Sequence, residues 1–175
     1  GTQTAALIQG GIHPATGATE TWDGSSWTEV GDKNTAVLQS TGTGTQTAGL
    51  AAGGQTGPNP LTANVETWDG SSWTEVGNLN ATKRASGMAG DSGSALFFGG
   101  AGPSTPLQSL ATTEEWDGSS WTEVADLSTG RKFLSGTGSS VLALGAGGYT
   151  PGSPLSVNST EEWTSAIAAQ TIAFD

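Results

Sequence analysis

The sequence predicts an all-β fold, a β-propeller built from four like units. Three observations predict it. One phrase recurs almost verbatim: ETWDGSSWTEV at 20–30 and again at 66–76, EEWDGSSWTEV at 114–124, and a shortened EEWTSA at 161–166. The Trp inside each phrase, at Trp22, Trp68, Trp116 and Trp163, returns at spacings of 46, 48 and 47 residues. A Gly-Gly pair keeps the same beat at Gly10-Gly11, Gly53-Gly54, Gly99-Gly100 and Gly147-Gly148. Self-similarity at a period of about 40–50 residues is the signature of repeat architectures, and four short strands per repeat is the propeller blade.

Each element of a unit follows from its own residues. The run SALFFGG (94–100) is short, apolar and stopped by two glycines, which predicts a buried strand. TTEEWDG (112–118) and SSWTEVADL (119–127) flank an Asp-Gly-Ser-Ser turn, which predicts a hairpin. Two-residue alternation puts Glu114 and Trp116 on one face of their strand and Glu115 on the other. Ahead of the apolar run come RASGMAG (84–90) or KFLSGTG (132–138), whose small residues suit a crowded inner strand. The repeats divide the single domain 1–175 into 1–43, 44–89, 90–137 and 138–175. The first unit starts at its Gly-Gly strand and the last ends in AQTIAFD in place of the Ser-Ser-Trp strand. The expected strand count is therefore three, four, four and four. The expected architecture is the C-terminal four blades of a larger propeller, or alternatively a closed ring of four.

Composition narrows the function. Sixteen acidic and five basic side chains give a net charge of −11. Phosphate binding needs clustered Lys and Arg, so nucleic acid and anionic membranes are not expected partners. The cations Lys33, Lys83, Arg84, Arg131 and Lys132 read as scattered. There is no Cys, so no disulfide framework forms, and no apolar run reaches the roughly 20 residues of a membrane span. One His (His13) and one Tyr (Tyr149) leave little for a triad or a zinc site. Neither catalysis nor a cofactor is expected. The Gly-Gly pairs, including Gly11, Gly54, Gly100 and Gly148, predict positive φ or close backbone approach rather than phosphate loops.

The repeated Trp residues, with Trp27, Trp73 and Trp121 as second members, predict packing between units; a ring of Trp stacking on sugars is the alternative. Glu20, Glu66, Glu114 and Glu161 are expected to accept backbone N–H bonds or to pair with a repeat Arg, against a dispersed metal cluster as the alternative. What varies is the loop after each Gly-Gly. Three of these loops share Pro-Leu, at Pro60-Leu61, Pro106-Leu107 and Pro154-Leu155. Pro-Leu reads as pinning each loop to its unit; alternatively, since loops on a rigid scaffold are where binding concentrates, His13, Asn59, Gln108 and Tyr149 are the candidate contacts. Asn80 and Asn158 head N-x-[ST] sequons and are candidate glycosylation sites.

The order of these markers resembles the kelch repeat: a strand ending in Gly-Gly, a loop, a Glu-x-aromatic-Asp strand, and a Trp about five residues later. Here they are Gly99-Gly100, Glu114-Glu115-Trp116-Asp117 and Trp121. TKR (82–84) and TGR (129–131) stand where kelch repeats carry an Arg, while the kelch Tyr is Trp in every unit. The chain resembles the Trp-Asp-Gly-Ser-Ser-Trp kelch-like proteins of aquatic bacteriophages and bacteria. That resemblance implies a non-catalytic structural and adhesive protein, on a virion surface or extracellular. It also implies partners among other copies, other structural proteins and cell-surface glycans. An intracellular protein-interaction scaffold is the alternative. An enzyme relic is the third reading, and the copper chemistry of galactose oxidase, a kelch-like enzyme, does not carry over with one Tyr, one His and no Cys.

Overall fold

The computed structural model describes residues 1–11, 14–58, 60–103, 108–150 and 156–165. These residues form four antiparallel sheets and no helix. The first sheet is β1 (Ala6–Gln9), β2 (Thr19–Trp22) and β3 (Trp27–Glu29). The second is β4 (Thr41–Gly44), β5 (Gly49–Ala52), β6 (Val65–Trp68) and β7 (Trp73–Glu75). The third is β8 (Gly87–Gly90), β9 (Ala95–Phe98), β10 (Thr113–Trp116) and β11 (Trp121–Val124). The fourth is β12 (Ser135–Gly138), β13 (Leu142–Ala146) and β14 (Thr160–Thr164). Strands follow one another across each sheet in chain order, so every sheet is a meander. The predicted strand in AQTIAFD and the Pro-Leu pairs 106–107 and 154–155 lie outside the described residues.

The turn of the repeated phrase is built by its own side chains. Asp69 Oδ1 accepts N–H bonds from Ser71 and Ser72, each at 2.8 Å, and Gly70 takes φ +97°. Asp23 and Asp117 repeat the arrangement with the same distances. A carboxylate that accepts backbone donors two and three residues on closes a turn locally, and glycine supplies the left-handed residue that it needs.

The hairpin turn sets the register, which places the two Trp side chains opposite each other: Trp22 on Trp27, Trp68 on Trp73, Trp116 on Trp121. Their ring centroids lie 5.4, 5.5 and 5.2 Å apart. The second and third pairs face the preceding sheet. Trp68 and Trp73 cluster with Ala51, Leu7 and Val30, and Trp116 and Trp121 with Leu50, Ala52, Val65 and Phe97. The indole N–H of Trp73 donates to Thr19 Oγ1 at 2.9 Å and that of Trp121 to the Gly77 carbonyl at 3.0 Å, both on the sheet before. Apolar burial and a satisfied indole thus hold neighbouring sheets together. Trp27, with no described sheet ahead of it, stays 45% exposed. At the other end Leu142 and Leu144 are exposed, although Leu50 and Leu96, the repeat equivalents of Leu144, are buried.

The inner strands are joined by a ladder that no side chain reveals. Ala85 N–H donates to the Gln39 carbonyl at 3.1 Å, and Phe133 N–H to the Ala85 carbonyl at 2.7 Å. Gln39, Ala85 and Phe133 are repeat equivalents, and all three adopt positive φ, at 55°, 54° and 58°. Non-glycine residues rarely sit there. Here the same conformation recurs at the same place in three units and aims a backbone group at the next.

Candidate functional site

The buried carboxylates are structural clamps. Glu66 Oε2 accepts the backbone and side-chain N–H groups of Asn34 at 2.7 and 3.1 Å, and its Oε1 accepts from Thr35 N at 3.1 Å. Glu114 Oε2 accepts the same pair from Asn80, at 2.7 and 2.9 Å, while its Oε1 lies 2.8 Å from Lys83 Nζ. Glu161 accepts from Ser128 N and pairs with Arg131. Each clamp ties down the loop that leads into an inner strand. The expected pairing with a repeat Arg holds in the fourth unit. In the third, Lys83 takes that place, because it and not Arg84 is the repeat equivalent of Arg131. Arg84 turns instead to the Gln55 side chain. Among the described residues, no group of His, Asp and Glu side chains could hold a metal ion.

Lys33, Lys83 and Arg131 are buried inside the clamp regions. The other two, Arg84 and Lys132, are half-buried and occupy equivalent positions in consecutive units. They immediately precede Ala85 and Phe133, whose backbones are hydrogen-bonded, and their side chains turn to different partners, Arg84 to Gln55 and Lys132 to Tyr149. Bridges between Arg84 and Ala101, and between Lys132 and Tyr149, set both against the start of the loop after Gly-Gly. Lys132 Nζ lies 5.3 Å from the centroid of the Tyr149 ring, a cation–π distance.

Beside them opens a cleft of about 450 Å³ lined by Gln39, Ser40, Ala85, Ser86 and Phe133. A second hollow of similar volume lies against Lys132, Phe133, Tyr149 and Ser156. Among the described residues, no acidic side chain lines either one. Phe133 is exposed and forms part of both. Gln39 Oε1 and Arg84 Nε are buried without a hydrogen-bond partner, so each keeps unused capacity next to the cleft.

Of the predicted contacts, Tyr149 lines the second hollow. Gln108 is exposed on the loop of the third unit, where its carbonyl accepts from Gly102 N at 2.9 Å. His13 and Asn59 lie outside the described residues. The Asn80 amide nitrogen, the atom to which a glycan would be joined, donates to Glu114 and to the Trp121 carbonyl. Asn158 is exposed. Gly54, Gly100 and Gly148 take φ of 115°, 104° and 99°, whereas in the first unit only Gly10, at 70°, is left-handed and Gly11 is not. Sequence reasoning missed Gln39, Ala85, Phe133 and the Arg84–Gln55 contact. The one available signal was the alignment of Arg84 with Lys132.

No protein-family model matches the chain, and no curated protein matches it. Among solved structures, that of YjhT is similar with a TM-score of 0.74, at 17% identity, over 86% of this chain. The chain spans 50% of that one. At this identity the likeness is one of fold.

Proposed function

We propose that the four sheets are consecutive blades of a kelch-like propeller, and that the protein is non-catalytic. In this reading it is a structural and adhesive component of a virion or extracellular surface. It contacts glycans through the cleft and the loops at its rim. The observation that carries the reading is the use to which the repeated phrase is put. Its Asp residues close turns, its Trp residues pack between sheets, and three of its Glu residues clamp loops. Almost no chemistry is left over in the part of the sequence that repeats. What remains, across the two neighbouring hollows that share Phe133, is the Phe133 and Tyr149 rings, the Lys132 ammonium and the Gln39 side-chain amide, groups suited to a sugar ring by stacking and hydrogen bonds.

A glycan screen with the labelled chain tests this. Retention by at least one carbohydrate, lost in a Phe133→Ala, Tyr149→Ala double variant that melts like the parent, is the expected result. No retention, or retention indifferent to both rings, refutes it. A protein-interaction scaffold is the second reading, favoured by the exposed Val141, Leu142 and Leu144. Retention of proteins that Leu144→Lys releases, with no carbohydrate bound, would select it.

A further inference from the structure

We infer that the sugar taken by the two hollows is anionic, bearing a carboxylate or a sulfate ester, and that the Lys132 ammonium receives its charge. The inference rests on the glycan reading and adds to it the class of sugar.

The chain separates its charges by position in the repeat. Outside the four copies of the phrase, the acidic residues are Asp32, Asp91, Asp126 and Asp175 alone. The cations do the opposite. All five stand outside the phrase, in the stretches that lead into the inner strands β4, β8 and β12. The register carries this separation into space. Thr41, first in β4, pairs with Ala52, last in β5, so an inner strand is entered at the Gly-Gly end of its sheet. Trp68 pairs with Gly49 and Trp73, which puts the Asp-Gly-Ser-Ser turn at the other end.

Three of the five cations serve the fold. Lys83 pairs with Glu114, Arg131 pairs with Glu161, and Lys33 is buried. Arg84 and Lys132 belong to no clamp. Arg84 turns to the Gln55 side chain, and Lys132 Nζ lies 5.3 Å from the centroid of the Tyr149 ring, both neutral groups.

A chain of net charge −11 repels an anion at long range. A site for one must therefore be cleared of carboxylates and given a cation locally. The second hollow meets both conditions. Its described lining is Lys132, Phe133, Gly148, Tyr149 and Ser156. Lys132 brings a whole charge and three N–H donors to it. The first hollow is lined by amide, hydroxyl and apolar groups, which gives it nothing to hold a charge. The charged substituent is thus placed in the second hollow. A single half-exposed ion pair is a weak anchor by itself. The ring faces of Phe133 and Tyr149 supply the rest, so the ligand is an anion built on a sugar ring and not an anion of any shape.

The test is retention of the labelled full chain on carbohydrates presented in matched pairs. Hexuronate oligosaccharides are set against their methyl esters, and sulfated oligosaccharides against the same chains desulfated. At least one charged member is expected to bind about tenfold more tightly than its neutral counterpart, the worth of a charge-assisted hydrogen bond. The pair that shows the gap tells carboxylate from sulfate. Lys132→Met is expected to close the gap and Lys132→Arg to keep it, both melting like the parent. Polyglutamate at equal charge is expected not to compete. Sugars held through Phe133 and Tyr149 with no gap in any pair overturn this inference and leave the glycan reading standing. A gap that survives Lys132→Met overturns it, and so does competition by polyglutamate, which would assign the binding to charge alone. If no carbohydrate is retained, the glycan reading fails and this inference falls with it.

Discussion

Glu114→Gln should be one of the most damaging single-atom changes in the protein, and Glu20→Gln, at the same position of the repeat, should be nearly silent. The first replacement removes the charge that stands 2.8 Å from Lys83 Nζ, where neither side chain is more than 3% exposed. What remains for Lys83 is one hydrogen bond to Thr112 Oγ1 at 3.1 Å and the face of Phe97, 5.5 Å away. Breaking one side of a buried pair costs about 3–5 kcal/mol, because the surviving charge stays buried and uncompensated. The glutamine still accepts from Asn80, so the lower end, about 3 kcal/mol, is expected. With a urea slope of about 2 kcal/mol/M, that moves the unfolding midpoint down by roughly 1.5 M. Glu20 has no hydrogen-bond or ion-pair partner among the described residues, and its change should stay within about 0.5 kcal/mol. Adding Lys83→Met to Glu114→Gln removes the stranded charge and should restore most of the loss. Equal midpoints for the two Glu→Gln variants, or no rescue by Lys83→Met, would refute the clamp as the source of stability.

Three further outcomes are expected. Burial pushes the Lys33 amine down to about 8, against the opposing pull of Glu66. The unfolded chain then binds the extra proton between about pH 8 and 10.5, so stability rises with pH across that window. Lys33→Met should add up to about 3 kcal/mol near pH 7 and flatten the rise, as read from urea midpoints at pH 7, 9 and 10. The carboxyls of Asp23, Asp69 and Asp117 are held down to about 2 by bonds from their own turns, led by Ser26 N–H, the Ser71 hydroxyl and Ser120 N–H respectively. Carbon-detected titration should find them ionised at pH 3. Their support for the hairpins is whole above the ordinary carboxylate range and fades only as pH falls through about 2; ordinary midpoints near 4 would contradict the turn geometry. Finally, Gly100→Ala places a Cβ 2.1 Å from Ser86 Oγ and 2.8 Å from the Arg84 carbonyl oxygen at φ +104°, whereas Gly57→Ala at φ +74° meets nothing within 4 Å. The first should cost at least about 2 kcal/mol and the second about 1 kcal/mol, by thermal melts.

The hairpin, the packed Trp pairs and the carboxylate clamps were legible because each is written in side chains that repeat. Asp-Gly-Ser-Ser has one good turn to make, and a Trp at a fixed beat has one economical place to go. The inner ladder was not legible, for a physical reason. Its members are a Gln, an Ala and a Phe, and what they share is a backbone conformation that none of the three prefers. Selection at that place acts on φ and on a carbonyl direction, which leaves side-chain identity free. The same freedom explains the cleft. Arg84 and Lys132 line up in the alignment, but a chain of net charge −11 with five dispersed cations gives no hint that three are buried and that the other two flank hydrogen-bonded residues of consecutive units. Seeing it requires knowing that equivalent positions of consecutive units are hydrogen-bonded neighbours. The repeat therefore divides the labour. Residues that recur hold the sheets, and positions where recurrence lapses, at Gln39, Phe133 and Tyr149, line the two hollows.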